Sequence, residues 1–270
     1  MPMTRVNNVE LFFELSGRGE VPLALVHGSW ASHHTWEAFV PVVADSFQVL
    51  TYDRRGHSRS QRPPGQGSIR EDVADLAALI AQFDLAPAWV VGNSQGGLIA
   101  LRPAGERPEL LRGVSAHEPP LFSLLRDEPA AASALAAIRR LDAAVAERIA
   151  SGDDSGAAEF FIEAILGSGT WERLPDAYRQ ELINNAPTYL DQIRDPENEL
   201  FDSEWIAAFD GPALLTRGQG HDEIVDPMYK RIAELLSEVT FQTIAGGGHV
   251  PQRFAPEAYA EAVANFSSTG

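Results

Sequence analysis

Ser94 stands in "VVGNSQGGLIA" (90–100), between Gly92 and Gly96 and directly after an apolar run. A serine so placed is a candidate nucleophile if it has partners: a base to take its proton, an acid to orient the base, and N–H groups to meet the oxyanion formed by its attack. The pattern implies a strand turning sharply into a helix, with a strained central residue and glycines that let the helix pass close to the strand. At that helix start the backbone N–H of Gln95 is one oxyanion donor. "LALVHGSW" (23–30) supplies a second candidate. Its run ends in His27–Gly28, and the next N–H belongs to Ser29, with that of Trp30 as the fallback.

Seven histidines compete for the role of base: His27, His33, His34, His57, His117, His221 and His249. His249 is favoured because it follows "FQTIAGGG", a glycine-rich loop between the last strand and the final helix. His33 and His34 fall in a short helix with Trp36 and read as surface or capping residues. His57, in "DRRGHSRS", reads as structural, and His117 faces away from its neighbour Glu118. Two acids remain open. Glu118 ends the strand after the nucleophile helix, where Pro119 and Pro120 stiffen the chain. Asp222 lies in "TRGQGHDEIVDP", beyond the following strand, and Asp226 reads as the N-cap of a helix begun at Pro227.

The elements that must position these groups follow from hydrophobic periodicity. Strands are expected at 9–15, 23–28, 48–53, 89–94, 113–118, 213–218 and 241–246. From residue 23 onward the runs are nearly unbroken, as in strands covered on both faces. "SIREDVADLAALIAQF" (68–83) places Ile69, Val73, Leu76, Leu79, Ile80 and Phe83 on one helical face. Helices are also expected over 226–238 and 256–266. Alternation of strand and helix implies an α/β fold with a doubly wound, mostly parallel sheet. Residues 119–209 break the rhythm with Ala-rich helical stretches and no strand, too long for a loop. They read as a helical cap inserted over the carboxyl ends of the strands, dividing a core of 1–118 and 210–270. Pro103 falls inside the nucleophile helix, where it should kink or end it.

Composition narrows the function classes. The 270 residues suffice for one sizeable domain with an insertion. A net charge of −17 makes nucleic acid and anionic membrane surfaces poor partners. The absence of cysteine excludes disulfides, thiolate metal sites and a cysteine nucleophile. With no leader pattern and no apolar run long enough to span a bilayer, a cytoplasmic protein is expected.

From "HGSW" through "YDRRGHSRS" and "GNSQGG" to "GGGHVP" the chain resembles the α/β-hydrolases. The motifs stand in the order and spacing of that fold, and the likeness is weakest across 119–209. It implies Ser94 as nucleophile, His249 as base, and the amides of Ser29 and Gln95 as the oxyanion hole. Serine at 94 separates the chain from haloalkane dehalogenases and epoxide hydrolases that attack with aspartate. Most families of the fold carry the acid after the later strand, which points to Asp222 with one extra residue. Certain dehalogenases and lactone hydrolases carry it at the strand end that Glu118 occupies. The implied activity is hydrolysis of small carboxylic esters or lactones without metal or organic cofactor. Trp30, Phe122, Trp171 and Trp205 are candidate pocket walls. Carbon–carbon hydrolysis, peracid formation and non-catalytic ligand binding are the alternatives on the same framework.

Overall fold

A computed structural model describes residues 2–198, 206–207, 209–219 and 222–268. In chain order its main elements are β1 (Met3–Val6), β2 (Val9–Ser16), β3 (Val21–Val26), β4 (Phe47–Tyr52), α1 (Ile69–Gln82), β5 (Ala88–Asn93), α2 (Gln95–Glu106) and β6 (Leu111–His117). There follow α3 (Ala132–Ala150), α4 (Asp154–Leu166), α5 (Asp176–Arg194), β7 (Ala213–Arg217), α6 (Asp222–Ala233), β8 (Val239–Thr243) and α7 (Pro256–Ser267). The strands form one sheet in the order β1-β2-β4-β3-β5-β6-β7-β8. β1 and β2 are antiparallel, and β4 onward is parallel.

Two apolar layers account for the unbroken runs. Along β3, Ala24 and Val26 pack with Val73, Leu76 and Leu79 of α1 and with Leu98 and Leu101 of α2. Leu23 and Leu25 face the opposite layer with Trp36, Phe39 and, from α7, Tyr259 and Val263. Each central strand therefore buries both rows of side chains, which removes the polar alternation of a one-faced sheet.

Several boundaries differ from the sequence reading. β1 is an additional strand, joined to β2 by Asn7 and Asn8 at φ 45° and 65°. Asparagine tolerates this left-handed region, and such a pair forms the tight turn of a hairpin. α2 continues through Pro103 to Glu106 instead of ending at it. α6 begins at Asp222, with Pro227 inside it, so Asp226 does not cap it and pairs instead with Arg217. β8 starts two residues earlier than expected and gives way sooner to the glycine-rich loop.

Between β6 and β7 the described residues contain helices and no strand. α3, α4 and α5 enclose their own apolar centre, including Val145, Ile149, Ala158, Leu182 and Ala186, and Trp30 enters it from the sheet side. One face of α5 docks this insert on the rest. Glu181 accepts from Ser32 Oγ and pairs with His34 at 2.6 Å. Asn185 accepts from Ser58 N and donates to the Trp30 and Ala31 carbonyls. Thr188 Oγ1 lies 3.0 Å from His57 Nε2, and Gln192 accepts from Ser29 Oγ at 2.7 Å. Steps of three and four residues put these side chains on one stripe. Among the described residues no helix is long and apolar enough to cross a membrane.

Candidate active site

Ser94 occupies the turn from β5 to α2 with φ 53° and ψ −123°, a conformation that side chains rarely adopt. The surrounding packing enforces it. A Cβ on Gly92 would lie 2.1 Å from the Gly96 carbonyl oxygen, and one on Gly96 would lie 2.1 Å from that of Val26. Only glycine at both positions lets α2 leave β5 so abruptly. The Ser94 N–H is held by the His117 carbonyl at 2.8 Å, while its hydroxyl makes no capping bond to its own helix. The side chain thus stands at the carboxyl edge of the sheet, strained and uncommitted to α2.

His249 reaches the same edge from the loop after β8, where Gly246 and Gly248 adopt φ 72° and 51°. Its Nδ1 donates to Glu118 Oε2 at 2.6 Å. The other carboxylate oxygen, Oε1, accepts from Gly218 N at 2.9 Å. Glu118 has a positive φ of 44°, and its own N–H bonds the Thr216 carbonyl at 3.0 Å with Tyr229 Oη at 3.2 Å. A buried carboxylate, 4% exposed, therefore faces a ring that is 19% exposed. That arrangement fixes the imidazole tautomer with its proton on Nδ1 and would stabilise an imidazolium.

Residues not assigned a role from sequence hold this loop against the serine. Asn93, beside Ser94, donates from Nδ2 to the His249 carbonyl at 2.8 Å, and Gln252 donates to Asn93 Oδ1 at 3.0 Å. His117 Nε2 donates to the Gly248 carbonyl at 2.9 Å, while its Nδ1 accepts from Thr216 Oγ1 at 2.9 Å. Asn93 was legible as a member of the serine motif, but nothing local announced its partner 156 residues away.

The two oxyanion candidates flank Ser94. Gln95 is the first residue of α2, so its N–H has no partner within the helix. The Gly28–Ser29 peptide lies against the serine, since a Cβ on Gly28 would be 3.3 Å from Ser94 Cβ. Trp30, the fallback donor, has φ 66° and belongs by its side chain to the insert's apolar centre.

The remaining sequence candidates separate. Trp30 is fully buried and Trp171 is 8% exposed, both within the insert's own packing and not on an open wall. Phe122 is half-buried against the main core, and Trp205 and His221 lie outside the described residues. Asp222 starts α6, and its side chain also lies outside the described residues. His33 is not a surface residue: it is 4% exposed and 2.7 Å from Asp53. Burial, with the charge of Arg54 next in weight, pushes His27 down to about 3, and His57 is lowered well below the ordinary histidine value by the same causes. Neither is a base near neutral pH. A cavity of about 40 Å³ opens beside Gln95, lined on its polar side by Arg54, His57, Asp72, Thr188 and Asn198.

Comparisons with known proteins agree with this fold. The thermophilic esterase from Thermogutta terrifontis superposes with a TM-score of 0.77 and 26% identity, covering 99% of this chain and 96% of that one. The enol-lactonase from Burkholderia xenovorans LB400 superposes with a TM-score of 0.77 over 99% and 100% of the two chains, at 17% identity a likeness of fold alone. A provisionally named non-heme chloroperoxidase from Synechocystis is 24% identical over 89% of this chain and 88% of its own. Other curated relatives match over less. The acetyltransferase component of the acetoin cleaving system of Pseudomonas putida is 34% identical over 38% of this chain, and only 28% of its own length is matched. A provisionally named carbamate hydrolase from Azorhizobium caulinodans is 30% identical over 43% of each chain. The family model described as the alpha/beta hydrolase fold matches residues 21–256. With the serine turn, the parallel sheet and the histidine loop in place, the chain belongs to the α/β-hydrolase fold family.

Proposed function

We propose that the chain is a serine hydrolase of small carboxylic esters or lactones. His249 Nε2 takes the proton of Ser94 Oγ as the oxygen attacks the substrate carbonyl. The resulting oxyanion lies between the N–H groups of Ser29 and Gln95. Collapse expels the alcohol, which takes the proton back from His249 and leaves an acyl-enzyme. Water, deprotonated by the same ring, then attacks the acyl carbon and releases the acid. In a lactone the departing alkoxide stays tethered to the acyl group until that second step. The helical insert serves as the cap over the site.

The observation that carries this reading is the 2.6 Å contact between His249 Nδ1 and Glu118 Oε2 at the strand edge where Ser94 emerges. His33 has a buried carboxylate partner too, in Asp53, but only His249 combines one with a place in the loop that Asn93, the neighbour of Ser94, holds through the His249 carbonyl. The test is stopped-flow hydrolysis of p-nitrophenyl butyrate, with γ-butyrolactone as a second substrate. A p-nitrophenol burst that Ser94→Ala abolishes supports the reading. Turnover that survives in Ser94→Ala, or none with any ester or lactone, overturns it.

Peracid formation is a second reading, favoured by the likeness to the Synechocystis protein over most of the chain. Hydrogen peroxide would replace water at the acyl-enzyme, giving a peracid in place of the acid. Acetate-dependent peracid production from hydrogen peroxide distinguishes it.

A further inference from the structure

We infer that Arg54 is a positioning residue for the oxyanion hole, acting through the Gly28–Ser29 peptide; this rests on the serine-hydrolase reading above. The peptide is trans, as are all described bonds except Ala86–Pro87, so the Gly28 carbonyl and the Ser29 N–H point in opposite directions. Fixing the carbonyl aims the N–H. Two donors fix it: His27 Nδ1 at 2.9 Å and Arg54 Nη2 at 3.3 Å.

The identity of each donor follows from the surrounding bonds. Arg54 N donates to His27 Nε2 at 3.0 Å, so that nitrogen is unprotonated and the proton sits on Nδ1, facing the Gly28 carbonyl. His57 Nδ1 faces the Arg55 carbonyl and must donate, which leaves Nε2 to accept from Arg54 Nη2 at 3.0 Å. One Nη2 hydrogen is thereby assigned to His57, and the other serves Gly28. Asp72 Oδ2 takes Nη1 at 3.0 Å. The guanidinium is 3% exposed and held in a planar fork by an anion on one side and a neutral ring on the other. Neither neighbour rotates it away from Gly28.

Orientation is half of the effect. An amide whose carbonyl accepts a charge-assisted hydrogen bond is polarised, and its N–H becomes a stronger donor. Arg54 places a fixed positive charge behind Ser29, on the side away from the reacting oxygen. The opposite donor is prepared in a matching way: the Ser94 carbonyl, in one peptide with the Gln95 N–H, accepts from Gly97 N at 2.8 Å and Leu98 N at 3.2 Å. One half of the hole is polarised by a helix and the other by a buried arginine.

The test compares two inhibitors in wild-type protein, Arg54→Met and Arg54→Lys. A trifluoromethyl ketone adds Ser94 to form an oxyanion, whereas the matching amide binds without one. Arg54→Met should weaken the ketone by about 10- to 30-fold, below the full loss from deleting an oxyanion donor. The amide should change less than twofold, and kcat for the ester should fall in step with the ketone at nearly constant KM. Arg54→Lys keeps the charge without the fork and should fall between. A general loosening would weaken both inhibitors alike. Equal ketone-to-amide ratios in wild-type protein and both variants overturn the inference. If Arg54→Met does not fold, an unchanged ratio in Arg54→Lys does so. Failure of the parent reading is a separate result, since Ser94→Ala would then keep activity and the wild-type protein would show no preference for the ketone.

Discussion

Glu118 and His249 lie 131 residues apart in the chain and 2.6 Å apart in the fold, the carboxylate on the imidazole nitrogen that faces away from bulk solvent. In Glu118→Gln a neutral amide replaces the carboxylate and no longer stabilises the imidazolium. kcat for ester hydrolysis is expected to fall about 10³- to 10⁴-fold with KM little changed. Asp222→Asn is expected to stay within about threefold of wild type, since His249 Nδ1 already has its carboxylate partner in Glu118. Parallel steady-state kinetics decide the pair, and a collapse confined to the Asp222 variant would refute the role given to Glu118.

The backbone at Ser94 stores strain that glycine would release. Ser94→Gly and Ser94→Ala should both be inactive, yet Ser94→Gly should be the more stable by about 1 kcal/mol, because only alanine retains a Cβ at φ 53°. Urea unfolding of the two variants measures the difference. Equal midpoints would mean that the turn relaxes at no cost.

Acid should destabilise the fold through His27 and His57. Burial, and after it the Arg54 charge, pushes His27 down to about 3, and His57 also lies well below its ordinary value of 6.5. The unfolded chain protonates both rings near 6.5, so below that pH it binds more protons than the native state. The stability these rings contribute is present above pH 6.5 and lost as the pH falls toward 3. Asp72, raised to about 6 by burial, and Asp191, raised by burial as well, oppose this below pH 6, while the lowered carboxyl groups of Asp53, Glu109 and Glu163 act with the two histidines. The urea midpoint should therefore drop between pH 7 and pH 4.5. A flat or rising profile would show that the native rings accept protons.

Asn185 ties the insert to the sheet through Ser58 N and two carbonyls while only 1% exposed. Asn185→Leu leaves these groups without their partner and should cost about 2 kcal/mol. Limited proteolysis within 119–209 should accelerate, with cleavage sites read by mass spectrometry. Unchanged proteolysis would place the docking elsewhere on α5.

Much of this was legible from residue order. Unbroken apolar runs marked the central strands because both of their faces are covered. Gly92 and Gly96 marked the nucleophile turn because any side chain there would strike backbone. β1 escaped because a short, half-exposed strand carries little apolar signal, and the start of α6 escaped because Pro227 mimicked a first-turn proline. The aromatic residues misled: Trp30 and Trp171 are as apolar in a packed helical insert as on a pocket wall, and periodicity cannot tell the two apart.

The sequence by itself determined the alternation of strands and helices, the sharp turn that presents a hydroxyl, and a short list of partners for it. Only the tertiary structure decided which acid meets the imidazole, because Glu118 and Asp222 both follow parallel strands at the same edge of the sheet. That choice depends on the placement of a glycine-rich loop, held by His117 and Asn93 across more than a hundred residues of chain. Local preferences set the direction of each strand, but no local rule sets the distance between the ends of two strands that are not neighbours in sequence.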